Sequence, residues 1–208
     1  MRRLLITPLA LLRNFPTFTM TYQNILSTLE ALTLAIGRIT AGFSLGIMLL
    51  TFIVVIMRYI FNTGELQIFG WSLSSIAIDE TVIYLHAALF MLASPATLRD
   101  DAHVRVDVFY RNFTSKKKSF VNIIGTVLLL FPMCATIIWA SWEYVELSWK
   151  IDEHSQEAEG LPYLFVLKGM IPVMAILLIF QGFLEIGKHS LHLAGKIEFP
   201  HHQHQETL

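Results

Sequence analysis

Four long stretches without charge limit what this chain can fold into more than any other feature of it. Nineteen uncharged residues separate Arg38 from Arg58 and include "FSLGIMLLTFIVVIM"; eighteen separate Glu80 from Arg99, and twenty-four separate Lys118 from Glu143. From Gly160 to Leu184 run twenty-five residues with Lys168 as the only charge. A soluble domain buries its apolar residues in short periodic segments, whereas a helix crossing the hydrocarbon of a bilayer needs about 20 such residues in a row. Lipid offers no partner to exposed backbone N–H and C=O groups, so such runs form helices, which satisfy those groups internally. The expected fold is all-α: an integral membrane protein of four transmembrane helices over residues 36–188.

The two ends read differently from the middle. "MRRLLITPLALLRN" imitates a signal peptide, but Pro8 interrupts its apolar stretch, Arg13 closes it, and no small-residue cleavage site follows. Residues 1–20 therefore read as a cytoplasmic tail touching the membrane surface. Between Gln23 and Gly37, Ile25, Leu26, Leu29, Leu32 and Ile36 fall on one helical face, which predicts an N-terminal interfacial helix within the unit 1–35. The end of the chain, 189–208, is a cytoplasmic tail, and its histidine-rich "EFPHHQHQETL" reads as solvated rather than as a metal site. The single cysteine, Cys134, lies inside the third run and can form no internal disulfide; it reads as a small buried apolar residue. A formal net charge of −1 and the lack of a basic stripe argue against a nucleic-acid partner.

Orientation follows from the basic residues. Arg2, Arg3, Arg13, Arg38, Arg99, Arg105, Arg111, Lys116, Lys117, Lys118, Lys188 and Lys196 fall on one side of the four runs, and only Arg58, Lys150 and Lys168 on the other. Lys and Arg in short flanking loops stay in the cytoplasm, so both termini are expected there. The acidic "EYVELSWKIDEHSQEAEG", from Glu143 to Gly160, then faces outward, with Trp139, Trp142, Tyr144 and Trp149 at headgroup level.

Polar residues on the runs are few. The second run is expected to start near Trp71 with Ser72 as its cap. Asp79 and Glu80 then lie about two turns in, either reaching water or, for Glu80, meeting a partner helix. His86 is the only histidine inside a run; without a second one it does not suggest haem ligation, and a hydrogen bond on a stripe with Asp79 is the simpler expectation. Pro132 and Pro172 should kink their helices or mark irregular turns. Gly42 and Gly46 form a small-xxx-small pair that permits close helix approach. No P-loop, nucleophile motif or metal-ligand spacing is present. Asp100, Asp101, His103 and Asp107 interleave with Arg99 and Arg105 and read as an ion-pair network. Nothing points to an enzyme, and no cofactor is expected in this chain.

The connection between the second and third runs, "LRDDAHVRVDVFY" (98–110), is patterned. Val104, Val106 and Val108 alternate with His103, Arg105 and Asp107, an extended segment with one apolar and one polar face, after which Asp107 can cap a short helix. A solvated loop needs no such alternation; a loop packed on something does. With "WSLSSIAIDE", which carries Trp71 and Glu80, with "ATLRDDAHVRVDVFY", and with "EGLPYLFVLKGMIPVMAILLIFQG" (159–182), the chain resembles the small membrane subunit of tripartite ATP-independent periplasmic (TRAP) transporters, DctQ-like. It is most similar to the mannitol/chloroaromatic-type branch, whose binding proteins are linked to 2-oxo acids and related carboxylates. The resemblance covers roughly residues 36–188.

The resemblance implies a subunit of a sodium-coupled importer of organic acids in the bacterial inner membrane. Its partners would be a large TRAP membrane subunit, which carries the Na+ and substrate sites, and a periplasmic solute-binding protein. It implies subunit contacts at Trp71, Asp79, Glu80, Arg99, Asp100, His103, Arg105 and Asp107. Glu159, Gly160, Pro162, Lys168 and Pro172 mark the periplasmic loop and fourth span. Two other classes stay open on residues alone: the membrane anchor of a respiratory enzyme, and a small stand-alone carrier or channel.

Overall fold

Helices fill the uncharged runs, apart from the first four residues of the fourth, 160–163, in a computed structural model that describes residues 16–68, 71–100 and 112–197. Helix α1 runs unbroken from Pro16 to Val55 and continues as one π-helical turn, Ile56–Ile60. Its forty residues span about 60 Å at 1.5 Å per residue, twice the hydrocarbon thickness of ~30 Å. The segment expected to lie along the interface is thus the first half of the same helix that crosses. A hairpin follows: β1, Glu65–Ile68, pairs antiparallel with β2, Trp71–Ser74, in the register Glu65↔Ser74 to Ile68↔Trp71. Helix α2 is Ser75–Arg99.

The third crossing is built of α3, Ser115–Gly125, a second π-turn, Thr126–Leu130, and α4, Phe131–Lys150. Helix α5, Leu164–Leu193, is the fourth. All four crossings are long and apolar enough to span a membrane.

Two local expectations are corrected. Trp71 and Ser72 lie in strand β2, and the cap of α2 is Ser74, whose hydroxyl accepts the Ile76 N–H at 3.2 Å. A serine in extended conformation directly before the first helical turn supplies that acceptor; the hairpin pairing takes Ser72 out of contention. The acidic stretch from Glu143 stays helical to Lys150, so the loop proper is 151–163. Pro132 does sit at an irregularity: it is the second residue of α4, just past the second π-turn, where a widened turn accommodates a ring that cannot donate and crowds the residues before it. Pro172 is buried inside α5, which continues past it.

The helices form an open slab. Helix α1 packs along α2, α2 along α5, and α5 along α3 and α4, while α1 meets α5 only lightly. Few apolar side chains are fully enclosed: Val54, Met57 and Ile78 make a small cluster at the hairpin end, and Cys134 of the third crossing and Ala175 and Leu184 of α5 are also buried. Large aliphatic and aromatic residues cover the outer faces, among them Leu45, Phe52, Phe90, Leu129 and Trp139. A slab in lipid tolerates this, because hydrocarbon is as apolar as the side chains it meets.

Close approach occurs at Gly37, not at the Gly42/Gly46 pair. A Cβ on Gly37 would lie 2.7 Å from the Cβ of Ala96 on α2, whereas one on Gly42 meets nothing within 4 Å and one on Gly46 makes ordinary contact with Leu85 at 3.6 Å. Gly37→Ala should therefore force α1 and α2 apart at a cost of about 1–3 kcal/mol. Gly42→Ala should be neutral or gain up to about 1 kcal/mol of helix propensity. Thermal unfolding in detergent should show a lowered midpoint for the first and none for the second; equal midpoints would remove Gly37 from the helix contact.

Candidate functional site

Polar side chains gather at the two ends of the slab. At the end where α1 begins and α5 finishes, Glu30 of α1 forms ion pairs with Lys188 of α5 and with Arg99 at the close of α2 (3.8 Å). Lys188 also meets Glu185 at 2.8 Å, and Arg99 meets Asp100 at 2.9 Å. Deeper in, Thr33 donates to Gln181 Oε1 at 3.0 Å, and Gln181 Nε2 donates to Glu185 Oε1 at 3.0 Å. On the other flank of α5, the buried His189 lies between Ser119 Oγ (3.2 Å) and Asn122 Nδ2 (3.0 Å) of α3. One continuous cluster thus joins all four crossings. Each charge has an opposite charge beside it, as Glu30, Arg99 and Lys188, only 14–20% exposed, require.

The hairpin end carries a second set. Arg58, in the first π-turn, donates to Asp79 at 2.6 Å and to Ser75 Oγ at 3.3 Å, joining α1 to the start of α2. Glu80 accepts the Ser155 hydroxyl and, at 2.5 Å, the Leu161 N–H, so its carboxylate holds the 151–163 loop across the start of α2. Gly160 makes room for this: a Cβ there would overlap Ser155 and lie 2.6 Å from Glu80 Oε1. Lys168, one turn into α5, pairs with Glu153 and stands 4.1 Å over the Tyr144 ring. The Lys168 hydrogen bond holds the Glu153 carboxyl below its usual range. The Ser74 hydroxyl does the same for Glu159, whose carboxylate in turn pushes neighbouring Glu65 up. Hairpin and loop are therefore in contact.

Of the residues singled out from sequence, Asp79, Glu80, Glu159, Gly160 and Lys168 come together at the hairpin end. Pro162 is exposed in the same loop, and Trp71 is the first residue of β2, paired with Ile68. Arg99 and Asp100 belong to the opposite cluster, 24 and 25 residues along from Ser75 at the far end of α2. Pro172 is buried within α5, away from either set. His103, Arg105 and Asp107 lie outside the described residues, as does the extended segment that carries them. His86 does not bond to Asp79, which is taken by Arg58; its ring stacks on Phe90 with centroids 6.1 Å apart.

Glu30, Thr33, Gln181, Glu185 and His189 went unnoticed in the sequence, although a signal was there. Gln181, Glu185, Lys188 and His189 recur at helical spacing on one face at the end of an otherwise apolar run. Among the described residues no group of three or more His, Cys, Asp or Glu is placed to hold a metal ion. What both clusters do physically is fix helices against one another.

The family of tripartite ATP-independent periplasmic transporters, DctQ component, matches residues 47–189, more than half of the chain. The chain belongs to this family. No curated protein and no solved structure matches it. It is a small membrane subunit of a TRAP transporter, multi-pass and part of a transport machine rather than an enzyme. The matched region takes in both polar clusters except Glu30 and Thr33, which precede it. Family membership sets aside the respiratory anchor and the stand-alone carrier.

The two ends should differ in strength. The Glu30–Lys188 side chains are 18% and 14% exposed, the Arg58–Asp79 side chains 45% and 43%. Removing one partner of an enclosed pair costs about 3–5 kcal/mol, and an exposed pair contributes about 0–1 kcal/mol. Lys188→Met should lower the unfolding midpoint of this TRAP subunit much more than Arg58→Met, and Glu30→Gln should partly relieve Lys188→Met. Equal effects at the two ends would contradict the enclosed character of the first cluster.

Proposed function

We propose that this subunit braces the large membrane subunit of a sodium-coupled, binding-protein-dependent importer of organic acids, with 2-oxo acids and related carboxylates as the substrate class. The observation that carries the bracing role is the slab itself. Its helices are tied to one another by polar contacts at both ends, while broad apolar faces between the ends stay open. Such a body is stiff and offers area to a neighbour. Coupled transport needs a site exposed to each side in turn; the residues that choose the substrate and hold Na+ are assigned to the large subunit. The substrate class and the sodium coupling rest on the resemblance of "ATLRDDAHVRVDVFY" and "EGLPYLFVLKGMIPVMAILLIFQG" to the mannitol/chloroaromatic-type branch.

The membrane is the bacterial inner membrane, with both termini in the cytoplasm. In support, Arg38, Arg99, Lys116, Lys117, Lys118, Lys188 and Lys196 lie toward the end where α1 begins and α5 finishes, and Arg58, Lys150 and Lys168 toward the hairpin end. The loop 151–163 and the hairpin then form the periplasmic face, where Glu159, Gly160 and Pro162 contribute to docking of the solute-binding protein. The Arg99–Asp107 segment is assigned to cytoplasmic contact with the large subunit.

Cysteines placed singly at Ser115 and Gln156, in a Cys134→Ala background, test orientation. An impermeant thiol reagent applied to intact cells should label the second and spare the first; the reverse pattern would invert the assignment. In liposomes with an inward sodium gradient, this chain alone should take up no organic acid. Uptake should appear when the large subunit and binding protein are added, and fall to background when this chain is left out. Transport by this chain alone, or undiminished transport without it, would end the bracing role.

A further inference from the structure

The outward face of α2 is narrow and unusual. Within Ser75–Arg99 only Ile83, His86, Phe90 and Thr97 are exposed; every other residue is buried or half-buried. The spacing of three, four and seven residues places the four on one stripe of the helix. Helices α1 and α5 pack along α2 elsewhere on its surface. Two of the four exposed side chains are polar, and one of these sits at mid-depth. His86 is eleven residues from Ser75 and thirteen from Arg99, about 16 and 20 Å from the two ends of the helix.

Thr97 Oγ1 donates to the Ser94 carbonyl at 2.7 Å and is content in an apolar setting. His86 is not. Its ring lies almost parallel to that of Phe90, 9° between planes, and makes no hydrogen bond or ion pair with any described residue. A neutral imidazole always has one nitrogen that donates and one that accepts. At the centre of a bilayer neither water nor lipid tails can serve them, so ionisable and polar side chains at this depth turn toward protein. Phe90, 71% exposed, stands beside the ring on the same stripe, and an imidazole is too short to reach headgroups from mid-depth.

We infer that the Ile83–His86–Phe90–Thr97 stripe is covered by one transmembrane helix of the large TRAP subunit, which presents a hydrogen-bonding side chain or a freed backbone carbonyl to His86. The inference deepens the bracing role and rests on it. It selects, from the several open apolar faces of the slab, the one whose chemistry lipid cannot match. Ile83 and Phe90 supply packing one turn to either side, and His86 sets the register, because sliding the partner helix by one residue would carry its polar group away from the ring. His86 is a positioning residue: it touches neither substrate nor ion.

The test uses the assembled transporter in native membranes. A photoreactive phenylalanine at Ile83 or Phe90 should crosslink to the large subunit, while one at Leu129, equally open on the third crossing, serves as the comparison site and should give far less of that adduct. His86→Leu should reduce the large subunit recovered with this chain roughly three- to tenfold, the range an interhelical hydrogen bond supplies. His86→Gln, which can still donate and accept, should retain most of it. Neither variant should change the unfolding midpoint of this chain purified alone by more than the loss of the Phe90 stacking, since His86 makes no hydrogen bond or ion pair with any described residue. Adducts only to lipid, adducts only to a second copy of this chain, or full recovery with His86→Leu would each overturn the inference. A parent chain that captures no large subunit would overturn the bracing role itself, so the two failures read differently.

Discussion

Hydrocarbon satisfies no hydrogen bond, and the arrangement of this small subunit follows from that one constraint. Backbone groups are dealt with by helix formation, which leaves the side chains as the remaining problem. Charged residues are excluded from the middles of the crossings and gather at their ends, where water is near. There they are used twice: they keep the crossings at their proper depth, and they bind helices together. Glu30, Lys188, Glu185 and Arg99 lock three helices at one end, with Ser119 and Asn122 bringing in the third crossing through His189. At the other end Arg58–Asp79 and the Glu80-held loop do the corresponding work.

Between those ends, helix contact depends on fit rather than on any hydrophobic drive, since lipid tails compete equally for apolar surface. Gly37 against Ala96, and Gly182 against Leu130 and Phe131, mark where backbones come close. The second π-turn belongs to the same logic, because it reshapes the third crossing just where Gly182 receives it. An interior this thin would not hold a soluble protein. In a membrane it produces a stiff plate with two wide apolar sides, a form suited to lying against a larger partner.

Polarity then distinguishes one part of that plate from another. Most outward residues are aliphatic or aromatic and fit lipid as well as protein. Trp139, Trp142, Tyr144 and Trp149 cluster near the hairpin end, where amphipathic rings suit the headgroup boundary. The face of α2 with His86 is an exception, because it exposes an imidazole that makes no hydrogen bond with any described residue.

From the sequence alone came the number of crossings, their helical form, the asymmetry of basic residues and the kinship with TRAP small subunits. These are properties of runs and local patterns: twenty uncharged residues mean a crossing whatever they pack against. The tertiary structure decided which polar residues meet. Glu30 and Lys188 lie 158 residues apart and share no motif, so only the packing of α1 against the end of α5 pairs them. Glu80 was visible as an oddity, but its role depended on Ser155 and Leu161 folding back from another loop. The hairpin was missed because four-residue strands carry too little periodicity to register, and its pairing moved the start of α2 from Ser72 to Ser74. Gly42 and Gly46 looked like the contact and Gly37 proved to be it, because spacing tells which residues share a face but not which face a neighbour will cover.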